Sequence, residues 1–226
     1  SNDPYAYSYL GFANYFTQDF ENAKFYFNKS MNLIEIGNEN PENFACPYEG
    51  LGMVYYKLND HNKSEFFLNK SINFRPGIVN NKYGLLSDIY VNEKKLNKSL
   101  EILNIWEIYG NNDSITLFNI NIKKSYIYYI MGKNNLTLNL LKKLENENID
   151  PIIKYKNIGN VYQKIKEPII AIKYFNKSLS YEPNNSEIYA NIGYSYLFIN
   201  KDNISKNYLK KSIKLDKYND LGYAGL

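Results

Sequence analysis

From Tyr155 to Pro183, apolar and small side chains recur at steps of three and four residues along two successive runs. Tyr155, Ile158, Gly159 and Tyr162 fall on one face of a first helix, and Ala171, Phe175 and Ser178 on one face of a second. The pattern occurs six times. The first copy has Tyr7, Leu10, Gly11, Ala23, Phe27 and Ser30; the second has Tyr48, Leu51, Gly52, Tyr55, Ser64, Leu68, Ser71 and Pro76. The third has Tyr83, Leu86, Ser87, Tyr90, Ser99, Leu103 and Trp106, and the fourth Ser125, Tyr128, Gly132, Thr137, Leu141 and Leu144. The stretch from Tyr155 is the fifth, and Tyr189, Ile192, Gly193, Tyr196, Ser205, Leu209 and Ser212 make the sixth. The small residue of each first helix (Gly11, Gly52, Ser87, Ser125, Gly159, Gly193) recurs at spacings of 41, 35, 38, 34 and 34. The pattern predicts helices over 5–17, 20–35, 45–58, 61–73, 80–92, 96–109, 115–131, 134–147, 151–165, 167–181, 186–199 and 202–215, and no strand.

Local chemistry refines these elements. Gly159, and Ala171 twelve residues on, allow two antiparallel helices to approach closely, so a bulky residue at Ala171 is expected to overpack. Ser64, Ser99 and Ser205 are small at the Ala171 slot and are expected to bond their hydroxyls to the preceding turn. Phe175 and Ser178 are expected to face the next copy. Pro168 falls in a first helical turn, where proline is tolerated, and Pro183-Asn184-Asn185-Ser186 ends one helix and caps the next. Ile36–Asn43 is the longest irregular stretch expected, and Gly110–Asp113 is a second break with Asp113 or Ser114 as N-cap. Trp106 takes the slot of Ser71 and Ser178 and is expected in the core, as is Tyr128.

Tyr155, Ile158-Gly159, Tyr162, Ala171, Phe175 and Pro183 resemble the W-x2-L-G-x2-Y…A-x3-F…P pattern of the tetratricopeptide repeat (TPR), with Tyr in the Trp slot. Six partial matches in register cover nearly the whole chain. The resemblance implies an all-α fold, a right-handed superhelical solenoid of antiparallel helix pairs. A single array over 1–226 is expected, with repeats near 4–37, 45–78, 80–113, 115–151, 152–185 and 186–219 and the start of a seventh first helix at 220–226. No polar capping helix closes that seventh start, so a piece of a longer protein, or a partner covering this end, is expected.

The resemblance also implies that first helices line a concave groove for a peptide or protein segment. The slots it points to are Tyr9, Phe12, Tyr15 and Phe16, then Met53 and Tyr56, then Tyr126 and Tyr129. They continue with Lys156, Asn157, Asn160 and Lys164, and with Asn191 and Tyr194. The groove is thus expected to be aromatic at its N-terminal end and polar-basic further on. Lys156, Asn160 and Asn191 occupy the first three slots of the carboxylate clamp by which some TPR domains hold acidic chaperone tails. The remaining two slots hold Leu221 and Gly225 rather than basic residues, so a complete clamp is not expected.

Composition narrows the classes. Of 226 residues, 24 are Tyr and 36 Asn, and Arg75 is the only arginine beside 26 lysines, as an AT-rich genome would give. That origin also accounts for the N-x-S/T triplets. Residues 1–150 carry 15 basic and 17 acidic side chains, whereas residues 151–226 carry 12 and 6, which would suit an acidic partner at the C-terminal end. The single Cys46 excludes an intrachain disulfide and any C-x-x-C site. His61, the only histidine, sits at a helix start in a packing or solvated role. No phosphate-binding glycine loop, H-E-x-x-H or G-x-S-x-G is present, so neither catalysis nor a metal or cofactor is expected.

No run of 18 apolar residues predicts a membrane span, and no signal peptide is visible, so a cytoplasmic location is the expectation. Ser1-Asn2 resembles a cleavage scar, so the natural N-terminus is expected to lie elsewhere. The function expected is a noncatalytic scaffold binding a protein or peptide segment. The alternatives are the recruiting arm of a larger enzyme, such as a TPR-bearing glycosyltransferase or phosphatase, end-to-end self-association, and more remotely a helical-repeat RNA binder. Near-absence of Arg, with lysines mostly off the groove, argues against nucleic acid.

Overall fold

The computed structural model describes residues 3–77, 82–110 and 113–225. Among these there are thirteen α-helices, one 3-10 turn and no strand. The chain divides into two compact units, Ser1–Asn112 and Asp113–Leu226.

Unit 1 contains α1 (Pro4–Phe16), α2 (Phe20–Ile36), the 3-10 turn Pro41–Phe44, α3 (Ala45–Lys57), α4 (His61–Phe74), α5 (Lys82–Asn92) and α6 (Leu96–Tyr109). Unit 2 contains α7 (Ser114–Ile130), α8 (Asn134–Glu145), α9 (Pro151–Lys164), α10 (Pro168–Leu179), α11 (Ser186–Leu197), α12 (Asp202–Leu215) and α13 (Asp220–Ala224). Each odd helix from α1 to α11 pairs with the even helix after it. The expected irregular stretch at Ile36–Asn43 is shorter than its composition suggested. Its first residue closes α2 and its last three belong to the 3-10 turn, where the Asn40 side chain accepts from the Glu42 N–H at 3.0 Å. The start of α5 at 80–81, the middle of the Gly110–Asp113 break and Leu226 lie outside the described residues. Asp113, not Ser114, is the N-cap, accepting from the Thr116 N–H at 2.8 Å. Asn185 caps α11 in the same way, and Pro168 opens α10.

Three devices recur with the repeat, and each follows from the small residue. First, the helices close over it. A Cβ on Gly159 would come within 2.7 Å of the Phe175 ring, and one on Gly52 or Gly193 within 2.7 Å of Leu68 or Leu209, sixteen residues on in every case. Second, this approach puts backbone carbonyls within reach of hydroxyls on the second helix. Ser64 donates to the Gly52 carbonyl (2.8 Å) and Ser99 to that of Ser87 (3.0 Å). Thr137 reaches across to Ser125 at 3.2 Å, with a longer 3.4 Å contact to its own turn. The expected bonds to the preceding turn therefore give way to bonds across the helix pair. Ser205 Oγ, at the same slot, is buried with no partner among the described residues.

At the other end of the pair, Ser30, Ser71, Ser178 and Ser212 donate to the carbonyls of Pro4, Ala45, Ile152 and Ser186, each 26 residues earlier. Ser178 thus faces its own repeat, not the next, because the Ile152 carbonyl in the first turn of the first helix lies opposite and accepts its hydroxyl as a second bond. Third, a ring on the second helix is clasped by two tyrosines of the first. Tyr174 stacks between Tyr155 (6.3 Å) and Tyr162 (5.3 Å), and Tyr208 between Tyr189 and Tyr196. Phe67 lies between Tyr48 and Tyr55 in the same way. Eight of the 24 tyrosines take part in these clasps.

The turn inside each repeat is also fixed. Gln18, Asn59, Lys94, Gly132, Lys166 and Asn200, each seven residues after the small residue, all have φ between 50° and 74°. Gly132 is therefore the turn residue of the fourth copy, where φ of +74° suits glycine. Five of the six copies accept the left-handed conformation with a side chain, which costs energy that glycine avoids. Lys166→Gly is expected to stabilise unit 2 by about 0.5–1 kcal/mol, whereas Lys173→Gly, inside α10, is expected to lose about 1 kcal/mol. Chemical denaturation of the two variants checks the opposite signs.

Candidate functional site

The first helices expose their inner-face residues unevenly. On α1, Phe12 and Tyr15 are half-buried against the Ala23–Phe27–Leu51–Val54 core, while Tyr9 and Phe16 are 72% and 73% exposed. Phe12 meets Phe27 edge-on at 5.0 Å, and Tyr15 meets Phe16 edge-on at 5.4 Å. On α3, Met53 and Tyr56 are half-buried. Burial lifts the Tyr56 hydroxyl above its ordinary value, with smaller contributions from Asp88 and Tyr15. Unit 1 therefore carries an aromatic shelf on α1 and α3 that is partly seated and partly open to solvent. His61 packs beside it, its ring 6.0 Å from that of Tyr56.

In unit 2 the inner-face residues of α9 and α11 are bonded to one another. Lys156 Nζ pairs with Glu187 at 2.9 Å, Asn191 Nδ2 donates to Asn160 Oδ1 at 3.4 Å, and Gln163 Nε2 donates to the Asn191 carbonyl and to Ser195 Oγ. Of the three clamp slots, Lys156 already has a carboxylate partner, and Asn191 is 8% exposed. Asn157 and Tyr194 are half-buried. Lys164 is exposed, and its ammonium lies 5.2 Å from the centroid of the Tyr126 ring. Tyr126 and Tyr129 both pack, partly buried, against the unit 2 core. Tyr128 was expected in that core but is only half-buried, because α7 turns Thr116, Phe118, Ile120, Ser125 and Ile127 inward instead. Leu221 is exposed, and Gly225 sits against Leu209 and Tyr194, leaving no basic group at the two remaining clamp slots.

Sequence reasoning did not single out Glu187, Ser195, Lys82 or Lys154. Lys82 and Lys154 stand five residues before the small residue, and each donates to a carbonyl seven residues back, Arg75 (2.6 Å) and Glu147 (3.0 Å). That shared offset was the available signal. Among the described residues no group of three or more His, Cys, Asp or Glu side chains could hold a metal ion, and no helix is long and apolar enough to cross a membrane.

The tetratricopeptide repeat model matches residues 47–77, 155–185 and 186–219, the second, fifth and sixth copies. The chain contains tetratricopeptide repeats. No curated protein matches it by sequence. Solved structures with the same all-α repeat fold include PilW, a type IV pilus biogenesis factor, with a TM-score of 0.65 and 14% identity over 98% of this chain and 97% of that one. The apo quorum sensor NprR from B. thuringiensis gives 0.66 and 14% over 99% and 67%. The APC/C hetero-tetramer Cut9–Hcn1 gives 0.64 and 14%, and there the TPR chain described here spans 42% of the matched chain. At these identities the likeness shows the fold. TPR proteins are in general protein-interaction modules, and this chain has their repeat architecture.

Proposed function

We propose that this TPR protein is a noncatalytic scaffold that binds an extended protein or peptide segment along the inner face of its first helices. The observation that carries the proposal is the aromatic shelf of unit 1. Tyr9 and Phe16 stay exposed beside a core that Phe27 and Leu51 already fill, so folding alone does not account for them. Rigid aromatic side chains of this kind supply most of the energy in typical interfaces. The bonded Asn160, Gln163 and Asn191 offer amides at fixed positions for a partner's backbone. An acidic segment suits unit 2, whose sequence carries 17 basic and 10 acidic side chains against 10 and 13 in unit 1. Lys164 is the cation best placed for it, since Lys156 would first have to leave Glu187.

A displayed peptide library selected on the protein is the test. Tyr15→Ala/Tyr56→Ala is expected to weaken the selected peptides about tenfold or more, the loss of at least one anchor. Lys164→Ala is expected to weaken only acidic peptides, and less so at high salt. Undiminished capture by a Tyr15→Ala/Tyr56→Ala variant that retains the wild-type circular dichroism would place binding elsewhere.

A further inference from the structure

At the start of the inner face, unit 1 contains a cavity of about 180 Å³ between α1, α3, the end of α4 and the start of α5. Its walls are the rings of Tyr5 and Tyr9, 46% and 72% exposed, with Ala45 between the elements. Its polar lining is unusual for so small a unit. Glu49 is 4% exposed and Lys82 1% exposed, and each acts electrostatically on the other. Burial pushes the Lys82 ammonium below its ordinary value, and the Glu49 carboxylate opposes that shift. Lys82 has three N–H groups, of which the Arg75 carbonyl takes one at 2.6 Å. Arg75 and Glu42 add a second pair of opposite charges at 3.8 Å, both largely exposed.

We propose that this cavity is a socket for one tyrosine side chain of the partner segment, an inference that rests on the groove reading above. Three properties select that occupant. The volume is below the roughly 300–1,000 Å³ of small-molecule sites and suits a single large side chain. The lining is charge-balanced, two acids against two bases, so a charged guest would enter with no surplus counter-charge and lose its hydration. The rings of Tyr5 and Tyr9 offer faces and edges to an aromatic guest, while the three-donor Lys82 ammonium, with one N–H on the Arg75 carbonyl, lies in the lining where a hydroxyl oxygen would accept. An uncharged ring with a hydroxyl at its end satisfies all three. Phenylalanine would set carbon against the Lys82 ammonium.

Cys46 lines the same cavity and is the only cysteine, so it reports occupancy. Burial and the Glu49 carboxylate hold its thiol above the ordinary value, so alkylation is followed at mildly alkaline pH. N-acetyl-tyrosinamide is expected to slow Cys46 alkylation saturably, roughly tenfold at ten times its Kd, with a Kd in the millimolar range. N-acetyl-phenylalaninamide is expected to protect at least several-fold less, and the argininamide and glutamic acid amide analogues not at all. Tyr9→Ala, an exposed position, is expected to abolish protection without changing the circular dichroism. Absence of saturable protection by the tyrosine probe, equal protection by the phenylalanine probe, better protection by a charged probe, or protection unchanged in Tyr9→Ala overturns the inference. Library peptides that depend on Tyr15 and Tyr56 while the socket ignores the tyrosine probe would sink the socket and keep the groove. Protection of Cys46 with no peptide captured would do the reverse.

Discussion

Phe27→Ala is expected to destabilise unit 1 by about 3–5 kcal/mol, the usual cost of emptying a fully buried phenylalanine site. The ring has no exposed surface and lies in the seam between the first two repeats. A Cβ on Gly11 would meet it at 2.5 Å, and a Cβ on Gly50 of the next repeat would collide with it as well. Phe12 closes a third side, edge-on at 5.0 Å. Neither glycine can supply atoms to fill the void, so relaxation requires α1 or α3 to move as a body. Phe27→Leu keeps most of the volume and is expected to cost less than about 1.5 kcal/mol. Phe25→Ala, two residues away and 57% exposed, is expected within about 0.5 kcal/mol of wild type. Trp106, the only tryptophan, lies in unit 1 and makes selectively excited tryptophan emission a reporter of that unit, which matters in a two-unit chain whose global melt need not be two-state. A Phe27→Ala midpoint close to that of Phe25→Ala would show that the seam is held elsewhere.

Helix positions were legible in the sequence, whereas several interactions were not. Periodicity reports which face of one helix is apolar, and α6 and α12 begin and end where the pattern placed them. Close approach at Gly159 and Ala171 was legible too, because only small residues occupy both slots. The hydroxyl bonds were not. A serine in a helix has a carbonyl of its own preceding turn within reach, and only the closeness of the paired helix makes the Gly52 carbonyl the better partner for Ser64. The tyrosine clasps were hidden for a related reason. Tyr155 and Tyr162 belong to the recognised pattern, but Tyr174 stands next to Phe175 at a position outside it. On the inner face, Glu187 was invisible as the partner of Lys156 because the two are 31 residues apart and no local rule joins them.

Trp106→Ser restores the residue that four other copies carry at this slot, and it is nevertheless expected to cost about 3–5 kcal/mol. In those copies the serine is useful because its hydroxyl reaches a carbonyl 26 residues earlier. The corresponding residue for position 106 is Asn80, outside the described residues, and the slot is filled by volume instead. The Trp106 indole is 5% exposed and stacks on Tyr83 at 6.2 Å with planes 16° apart, so its removal leaves a cavity against a buried ring. Its Nε1–H has no hydrogen-bond partner among the described residues, a defect that itself costs about 1–3 kcal/mol. Trp106→Phe should therefore behave differently from Trp106→Ser. It loses some ring volume but also removes the orphan donor, and the two changes offset to within about 1 kcal/mol of wild type. Urea denaturation followed by far-UV circular dichroism distinguishes the outcomes. If Trp106→Ser melts like wild type, the repeat pattern alone determines what this slot accepts. If Trp106→Phe costs as much as Trp106→Ser, the indole N–H has a partner and the slot is polar after all.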